Sequence, residues 1–227
     1  SNVWQFNADT HILGWLDSIG QDYDVITDED LHAEGMRLLG AYNVLITGTH
    51  PEYHTRNMIE ALQGFTDRGG LLMYLGGNGF YWVVSFNEDM PGIMECRRSE
   101  AGIRPWEPGH GQFYHAFTGE YGGLWRKNGR PPNRLCGVGM TSQGFDISEP
   151  YHLTAAAGDA RVSFIFDGVS ADTRIGAFGL AGGGAAGLEV DRADRSQGTP
   201  EHALVLASST RHTDIYLMTP EDLLDPT

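Results

Sequence analysis

The fold prediction begins from residues 43–53, Asn43-Val44-Leu45-Ile46-Thr47-Gly48-Thr49-His50-Pro51-Glu52-Tyr53, in which an apolar run leads directly into a polar turn. Similar apolar runs occupy residues 23–27 and 71–75, and segments with helical spacing of apolar residues separate the three runs. Strands that alternate with helices are typical of βαβ units, in which successive strands lie parallel in one sheet. The sequence therefore predicts an α/β fold built on a parallel sheet with helices on both faces.

Two of the segments between these runs carry helix signals. Thr27-Asp28-Glu29-Asp30 is a capping box, which predicts a helix through Leu38-Leu39. Residues 54–65 predict a second helix, because four apolar side chains would share one face, namely Met58, Ala61, Leu62 and Phe65. Beyond about residue 85 the chain is glycine-rich, with short candidate strands at 92–97, 162–167, 203–207 and 215–218. We predict a single domain over residues 1–227, with loop-rich, β-containing insertions over about 85–200.

The composition argues against several classes of function. The chain has 30 acidic and 15 basic residues, a formal charge of −15, which opposes nucleic-acid binding because that binding requires Lys and Arg to neutralise phosphates. No apolar run reaches the roughly 18 residues of a membrane span, and the start of the sequence lacks the pattern of a signal peptide. The two cysteines, Cys96 and Cys136, form no metal-binding pattern. We therefore expect a cytoplasmic protein with reduced thiols and neither nucleic-acid nor membrane partners.

Candidate chemistry lies in the loops that follow the predicted strands, because ligands of open parallel sheets bind beyond the carboxyl ends of the strands. The first loop contains His50, an acid–base candidate, and Glu52, which the dipole at a helix N-terminus would also favour. The second loop, Gly76-Gly77-Asn78-Gly79, is similar to a nucleophile elbow, but it carries Asn78 where acyl-enzyme chemistry needs Ser or Cys. The sequence therefore disfavours a glutaminase-type cysteine hydrolase.

Five motifs occur in order along the chain, namely Tyr23 to His32, Gly48 to Tyr53, Gly76 to Trp82, Gly119 to Arg126 and Gly187 to Arg192. Together they resemble the C-terminal domain of the N,N-dimethylformamidase large (beta) subunit family. The resemblance implies a flavodoxin-like fold of the kind found in class I glutamine amidotransferases. It also implies hydrolysis of a small N-substituted formamide, or a related amide, to an amine and formate.

The resemblance further implies a mononuclear ferric iron held by two tyrosines and one glutamate. In this sequence the ligands would be Tyr53, Tyr81 and Glu120, with Tyr23 as the alternative tyrosine. Phenolate and carboxylate oxygens are hard anionic donors that suit ferric iron, and three protein ligands leave positions open for water and substrate. The expected role of the iron is that of a Lewis acid on the amide carbonyl.

The predicted catalytic residues are Glu189, His50 and Asn78. Glu189 takes the role of the family's catalytic carboxylate through the resemblance, whereas His50 and Asn78 come from the two loops after the predicted strands. The expected partners are the small amide substrate, a small subunit and a second copy of the chain. Because one fold supports many functions, a non-catalytic binding or assembly module of a larger protein is the alternative.

Overall fold

The computed structural model describes residues 6–99, 101–102, 105–179 and 182–219. Within these ranges the helices are α1 (Phe6–Ser18), α2 (Asp28–Glu34), α3 (Met36–Leu39), α4 (Arg56–Asp67) and α5 (Pro132–Cys136). The strands are β1 (Val44–Ile46), β2 (Tyr53–His54), β3 (Leu71–Met73), β4 (Trp82–Phe86), β5 (Met94–Cys96), β6 (Gly139–Glu149), β7 (Tyr151–Leu153), β8 (Arg174–Ile175), β9 (Ala186–Arg192), β10 (Ala207–Ser209) and β11 (Leu217–Met218). Two 3₁₀ turns cover Ala155–Gly158 and Ser163–Phe166.

The prediction of one flavodoxin-like, class I glutamine amidotransferase-like parallel sheet with helices on both faces is wrong. In the described ranges the strands form four small sheets, with the orders β1-β3, β2-β4-β5, β11-β6-β9 and β10-β7-β8. Parallel pairing joins β1 to β3 and β2 to β4, while the other pairs are antiparallel. Local alternation of apolar and helical segments identifies individual strands, but it does not determine how many of them share a sheet.

The individual strand predictions had mixed outcomes. Residues 23–27 are not a strand, because Val25 is exposed and Thr27 instead caps α2. Residues 162–167 form a 3₁₀ turn, and 203–207 overlap a strand only at Ala207, where β10 begins. The predictions at 43–47, 71–75, 92–97 and 215–218 are confirmed in position, although each strand is shorter than expected.

Helix α4 is the centre of the larger apolar core, as its spacing of apolar residues predicts. Met58, Ala61, Leu62 and Phe65 are all buried on the face that the pattern indicates. The core also takes in Leu31, Leu39, Ile59, Phe80, Val83 and Trp125. A second cluster consists of Tyr81, Trp82, Ala101, Leu124 and Met140, with Tyr53 and Cys96 packed against it. The two clusters hold the loop after β3 in place, since Phe80 belongs to the first cluster and Tyr81 to the second.

The start of α4 depends on Thr55. Its hydroxyl accepts a hydrogen bond from the backbone N–H of Met58 and lies 2.8 Å from His32 Nδ1 on α2. We expect Thr55→Ala to lower the free energy of unfolding by about 1–2 kcal/mol, because it removes the helix cap and a buried partner of His32. Thr55→Ser keeps the hydroxyl and is the matched control. Denaturant unfolding of both variants measures the difference, and equal stability would show that the cap contributes nothing.

The parallel pairing of β1 and β3 brings the loops that follow these strands to the same edge. Leu45 pairs with Leu72 and Ile46 with Met73, and the Thr47 N–H donates to Met73 O at 3.0 Å. The longest antiparallel pair, β6 with β9, lies beside these loops, because Glu189 and Asp191 of β9 contact the loop after β3. In the described ranges no helix is long and apolar enough to cross a membrane.

Candidate functional site

The loop after β1 is fixed from both of its sides. Asp9 of α1 accepts hydrogen bonds from the Thr49 N–H at 2.6 Å and from the Thr49 hydroxyl at 2.8 Å. On the other side, the Phe80 N–H donates to Pro51 O at 2.7 Å. A Cβ at Gly76 would lie 2.5 Å from Thr49 O, so the two loops approach each other only because residue 76 is glycine.

The two loops and β9 together form a partly buried polar group, which we call the acid–base cluster. It consists of His50, Glu52, Asn78, Gln143 and Glu189. Asn78 Nδ2 donates to Glu52 Oε1 at 3.1 Å and to Glu189 Oε1 at 3.2 Å. His50 Nε2 lies 3.1 Å from Glu52 Oε2 and 3.4 Å from Glu189 Oε2. The imidazole and the amide therefore each link the same two carboxylates.

The oxygen of each carboxylate that accepts from Asn78 also accepts from a second donor. Trp82 Nε1 donates to Glu52 Oε1 at 2.8 Å, and Gln143 Nε2 on β6 donates to Glu189 Oε1 at 2.9 Å. Gln143 faces Glu189 directly in the β6–β9 register. Each carboxylate thus accepts hydrogen bonds from two side chains and lies beside His50, so its orientation is fixed before any ligand arrives.

Backbone strain is concentrated at this site. Asn78, Phe80 and Leu188 have φ angles of 53°, 56° and 58°, in the left-handed region that non-glycine residues rarely adopt. Asn78 and Phe80 lie in the loop after β3, and Leu188 directly precedes Glu189. Positions of this kind cluster at functional sites, where the surrounding structure holds them.

The surroundings of the cluster raise the pKa values of both Glu189 and His50. Burial raises the pKa of Glu189, with the charges of Glu52 and Asp191 adding to the shift and His50 opposing it. The hydrogen bond to Glu52 raises the pKa of His50, against the effect of burial. A carboxyl group and an imidazole that both have raised pKa values therefore lie 3.4 Å apart.

The residues predicted as iron ligands have other partners. Tyr53 and Tyr81 belong to the same apolar cluster, but the Tyr53 hydroxyl accepts a hydrogen bond from Arg98 Nη2 at 2.7 Å. Glu120 forms an ion pair with Arg56. The alternative tyrosine, Tyr23, is partly exposed and donates to Asp17 at the end of α1. The structure thus brings Tyr53 and Tyr81 together and pairs Tyr53 and Glu120 with different arginines.

This arrangement does not suit a metal held by Tyr53, Tyr81 and Glu120. A cation at these oxygens would lie beside the two guanidinium groups, which repel it. Glu52 differs, because the side chains that hydrogen-bond to its carboxylate are Asn78, Trp82 and His50, and none of them is an arginine. Over the residues that the structure describes, no group of three or more His, Cys, Asp or Glu side chains is arranged to hold a metal ion.

Four members of the site and its surroundings were not predicted as functional from the sequence. Glu52 was one of the possible ligands or acid–base groups of the first loop, with the helix dipole as the alternative interpretation, but it was not chosen as a site residue. Asp191 could have been found, because alternation along a strand places it on the same face as Glu189. Nothing in the local sequence indicates Gln143 or Tyr74, whose positions depend on pairing and packing far along the chain.

Comparison with known proteins gives the same protein name for a family model and for two relatives. A family model described as "N,N-dimethylformamidase beta subunit-like, C-terminal" matches residues 1–223. The N,N-dimethylformamidase beta subunit of Paracoccus aminophilus is 42% identical over 221 residues, which are 97% of this chain and 29% of that protein. The beta subunit of the same name from Alcaligenes sp is 40% identical over 225 residues, 99% of this chain and 29% of that protein. The chain thus spans less than a third of the length of these relatives.

Proposed function

Because the chain belongs to the N,N-dimethylformamidase beta subunit-like C-terminal family, we propose that it takes part in hydrolysis of a small N-substituted formamide at the acid–base cluster. The observation that carries the proposal is the position of Glu189. This partly buried carboxylate is oriented by Asn78 and Gln143 and lies beside His50, an arrangement typical of a general base. No Ser or Cys nucleophile is needed, in keeping with Asn78 at the elbow position.

The chemistry follows from these groups. Glu189 removes a proton from water while the water oxygen bonds to the formyl carbon, which gives a tetrahedral intermediate. The C–N bond then breaks, and the proton held by Glu189 passes to the leaving nitrogen. The products are the amine and formic acid, which ionises to formate. In its protonated form His50 would favour the ionised form of both carboxylates, because its Nε2 atom lies 3.1 Å from Glu52 and 3.4 Å from Glu189.

Asn78 has a second role beyond orienting the carboxylates. Its Oδ1 atom is buried and has no hydrogen-bond partner among the described residues. A buried acceptor without a partner is costly, so it is suited to a ligand that supplies the missing donor. The attacking water and the protonated amine both carry such a donor.

We propose iron only as a group that one residue of the acid–base cluster could help to bind. When bound, ferric iron would polarise the formyl oxygen as a Lewis acid. Glu52 is the carboxylate we would assign to it, because no guanidinium group contacts its oxygens in the described contacts, unlike those of Glu120. The ligand set of Tyr53, Tyr81 and Glu120 stays a prediction of the family resemblance, to which the assignment of Glu52 is the alternative.

The relatives are named as beta subunits, and we propose that this chain likewise works in an assembly with another subunit. Self-association and a cytoplasmic location also stay predictions. The alternative function, a non-catalytic module, predicts that the acid–base cluster can be altered without loss of activity in the assembly.

The test is hydrolysis of N,N-dimethylformamide by the protein in its complete natural assembly, with formate and dimethylamine measured together. We expect both products in equal amounts, and loss of both when iron is removed by a chelator and their return when iron is restored. Equal activity in the metal-free protein would remove iron from the proposal. Absence of hydrolysis in iron-loaded protein, for this amide and for other small formamides, would contradict the proposed function.

The pH dependence of the reaction follows from the shift at Glu189. The base must be deprotonated, so activity falls as the pH drops through the pKa of Glu189, which burial raises above the ordinary 4.5. We therefore expect the acid limb of kcat/KM to have its midpoint above pH 4.5, measured between about pH 4 and about pH 9. A midpoint at or below the ordinary value would mean that another group acts as the base.

A further inference from the structure

Tyr74 and Asp191 lie next to the acid–base cluster and form a hydrogen-bonded pair. Tyr74 follows β3, and its hydroxyl donates to Asp191 Oδ2 of β9 at 2.6 Å. The same hydroxyl accepts from the backbone N–H of Gly79 at 2.7 Å. The other oxygen of Asp191, Oδ1, accepts from the backbone N–H of Asn78 at 3.1 Å. One tyrosine and one aspartate thus bind two consecutive amides of the loop that carries Asn78.

The loop needs such support, because its conformation is unfavourable on its own. Asn78 and Phe80 both have positive φ angles, 53° and 56°, on either side of Gly79. A Cβ at Gly79 would lie 2.5 Å from the Tyr74 ring, so the loop backbone packs directly on this side chain. Gly77 is close on the other side, where a Cβ would lie 3.2 Å from Glu189 O. The loop is therefore held between Tyr74 and β9.

From this geometry we infer that Tyr74 and Asp191 are positioning residues, which hold the strained loop so that the Asn78 side chain bridges Glu52 and Glu189. The inference rests on the proposed function for its effect on catalysis, but the positioning itself is independent of it. The hydrogen bonds of Tyr74 and Asp191 join them to each other and to the backbone of the loop, not to Glu52 or Glu189. Their effect passes through the backbone of residues 78 and 79.

Asp191 also determines how Asn78 is positioned relative to Glu189. Glu189 and Asp191 are two residues apart on β9, so their side chains point to the same face of the strand. Glu189 contacts the side chain of Asn78, and Asp191 contacts its backbone. The backbone and the side chain of Asn78 are thus both bound to β9. This sets the distance between the side-chain amide of Asn78 and the carboxylate of Glu189.

The test combines amide hydrogen exchange with kinetics, on the protein in its complete natural assembly. Tyr74→Phe removes the hydroxyl and leaves the ring in place. We expect exchange of the Asn78 and Gly79 amides to become at least about tenfold faster. We also expect kcat for N,N-dimethylformamide to fall about 10- to 100-fold, with KM changed less than about threefold, because geometry and not substrate binding is lost. Tyr42→Phe is the control, since it removes a hydroxyl that donates to exposed Asp24 at 2.8 Å.

Substitution of the aspartate gives an independent readout. Asp191→Asn keeps an oxygen that can accept from the Asn78 N–H, whereas Asp191→Ala keeps none. Exchange of that amide should therefore rise only slightly in Asp191→Asn and strongly in Asp191→Ala, with kcat following the same order. Tyr74→Phe keeps the shape of the buried ring, so it decides the question if Asp191→Ala does not fold.

The outcomes separate the two proposals. Unchanged exchange in Tyr74→Phe and Asp191→Ala, or unchanged kcat despite faster exchange, would overturn the positioning role while hydrolysis by the unaltered protein stands. If the unaltered protein hydrolyses no formamide, the proposed function fails. In that case the exchange of the two amides still decides whether the pair holds the loop.

Discussion

Glu189→Gln is expected to lower kcat for formamide hydrolysis about 10²- to 10⁴-fold, the range by which a general base contributes to catalysis. Glutamine keeps an oxygen that can accept from Asn78 and Gln143, so the hydrogen bonds that orient the side chain survive. What is lost is the ability to take a proton from water. Formate release under saturating substrate measures the effect.

The same substitution should not destabilise the fold near neutral pH. Because burial raises the pKa of Glu189 in the folded state, its ionised form costs stability once the pH is above that pKa. A neutral glutamine removes this cost, so the melting temperature near pH 7 should equal or exceed that of the unaltered protein. Glu60→Gln, which neutralises an exposed partner of Arg130, is the control and should retain full activity. Near-normal kcat in Glu189→Gln would show that another group is the base.

Asn78→Asp is expected to have the second largest effect, a loss of about 10²-fold in kcat. The change is nearly isosteric, but it replaces the amide that donates to Glu52 and Glu189 with a third carboxylate. Like charges at this distance raise each other's pKa values, which leaves Glu189 protonated and inactive as a base over more of the pH range.

The stability of Asn78→Asp should depend on pH. The new carboxyl will have a raised pKa, so it is protonated at low pH and can then donate a hydrogen bond as the amide does. As the pH rises through that pKa, the variant should lose about 1–3 kcal/mol relative to the unaltered protein. Asn87→Asp adds the same charge where the side-chain oxygen only accepts bonds, from the N–H groups of Asp89 and Met90, and is the control. A stability difference that does not vary with pH would contradict this account of Asn78.

Sequence patterns predicted the structure correctly where the residues of one segment determine that segment's structure. Helix α4 has the buried face that its apolar spacing predicts, and Thr27 and Asp30 form the capping box. The parallel β1–β3 pair also brings the loops with His50 and Asn78 together. Asn78 and His50, which were predicted as catalytic together with Glu189, both contact it. Their catalytic roles stay predictions.

Contacts between distant segments could not be predicted in the same way. The small sheets arise because the glycine-rich part of the chain pairs with itself in antiparallel strands, for example β6 with β9. The pairing of Glu120 with Arg56, which lies 64 residues away in sequence, could not be predicted. Gln143 reaches Glu189 only through the register of that antiparallel pair. Side-chain chemistry at such positions is determined by pairing, for which a single sequence gives no signal.

The most direct test of the site is an experimental structure of the Glu189→Gln protein, in its complete assembly, with N,N-dimethylformamide bound. The account predicts that the formyl carbon lies within about 4 Å of the side chain of residue 189, close enough for a bound water to attack it. An iron anomalous signal in the same crystals should then lie beside Glu52. Amide and iron bound at Tyr53, Tyr81 and Glu120, with the acid–base cluster unliganded, would contradict the account.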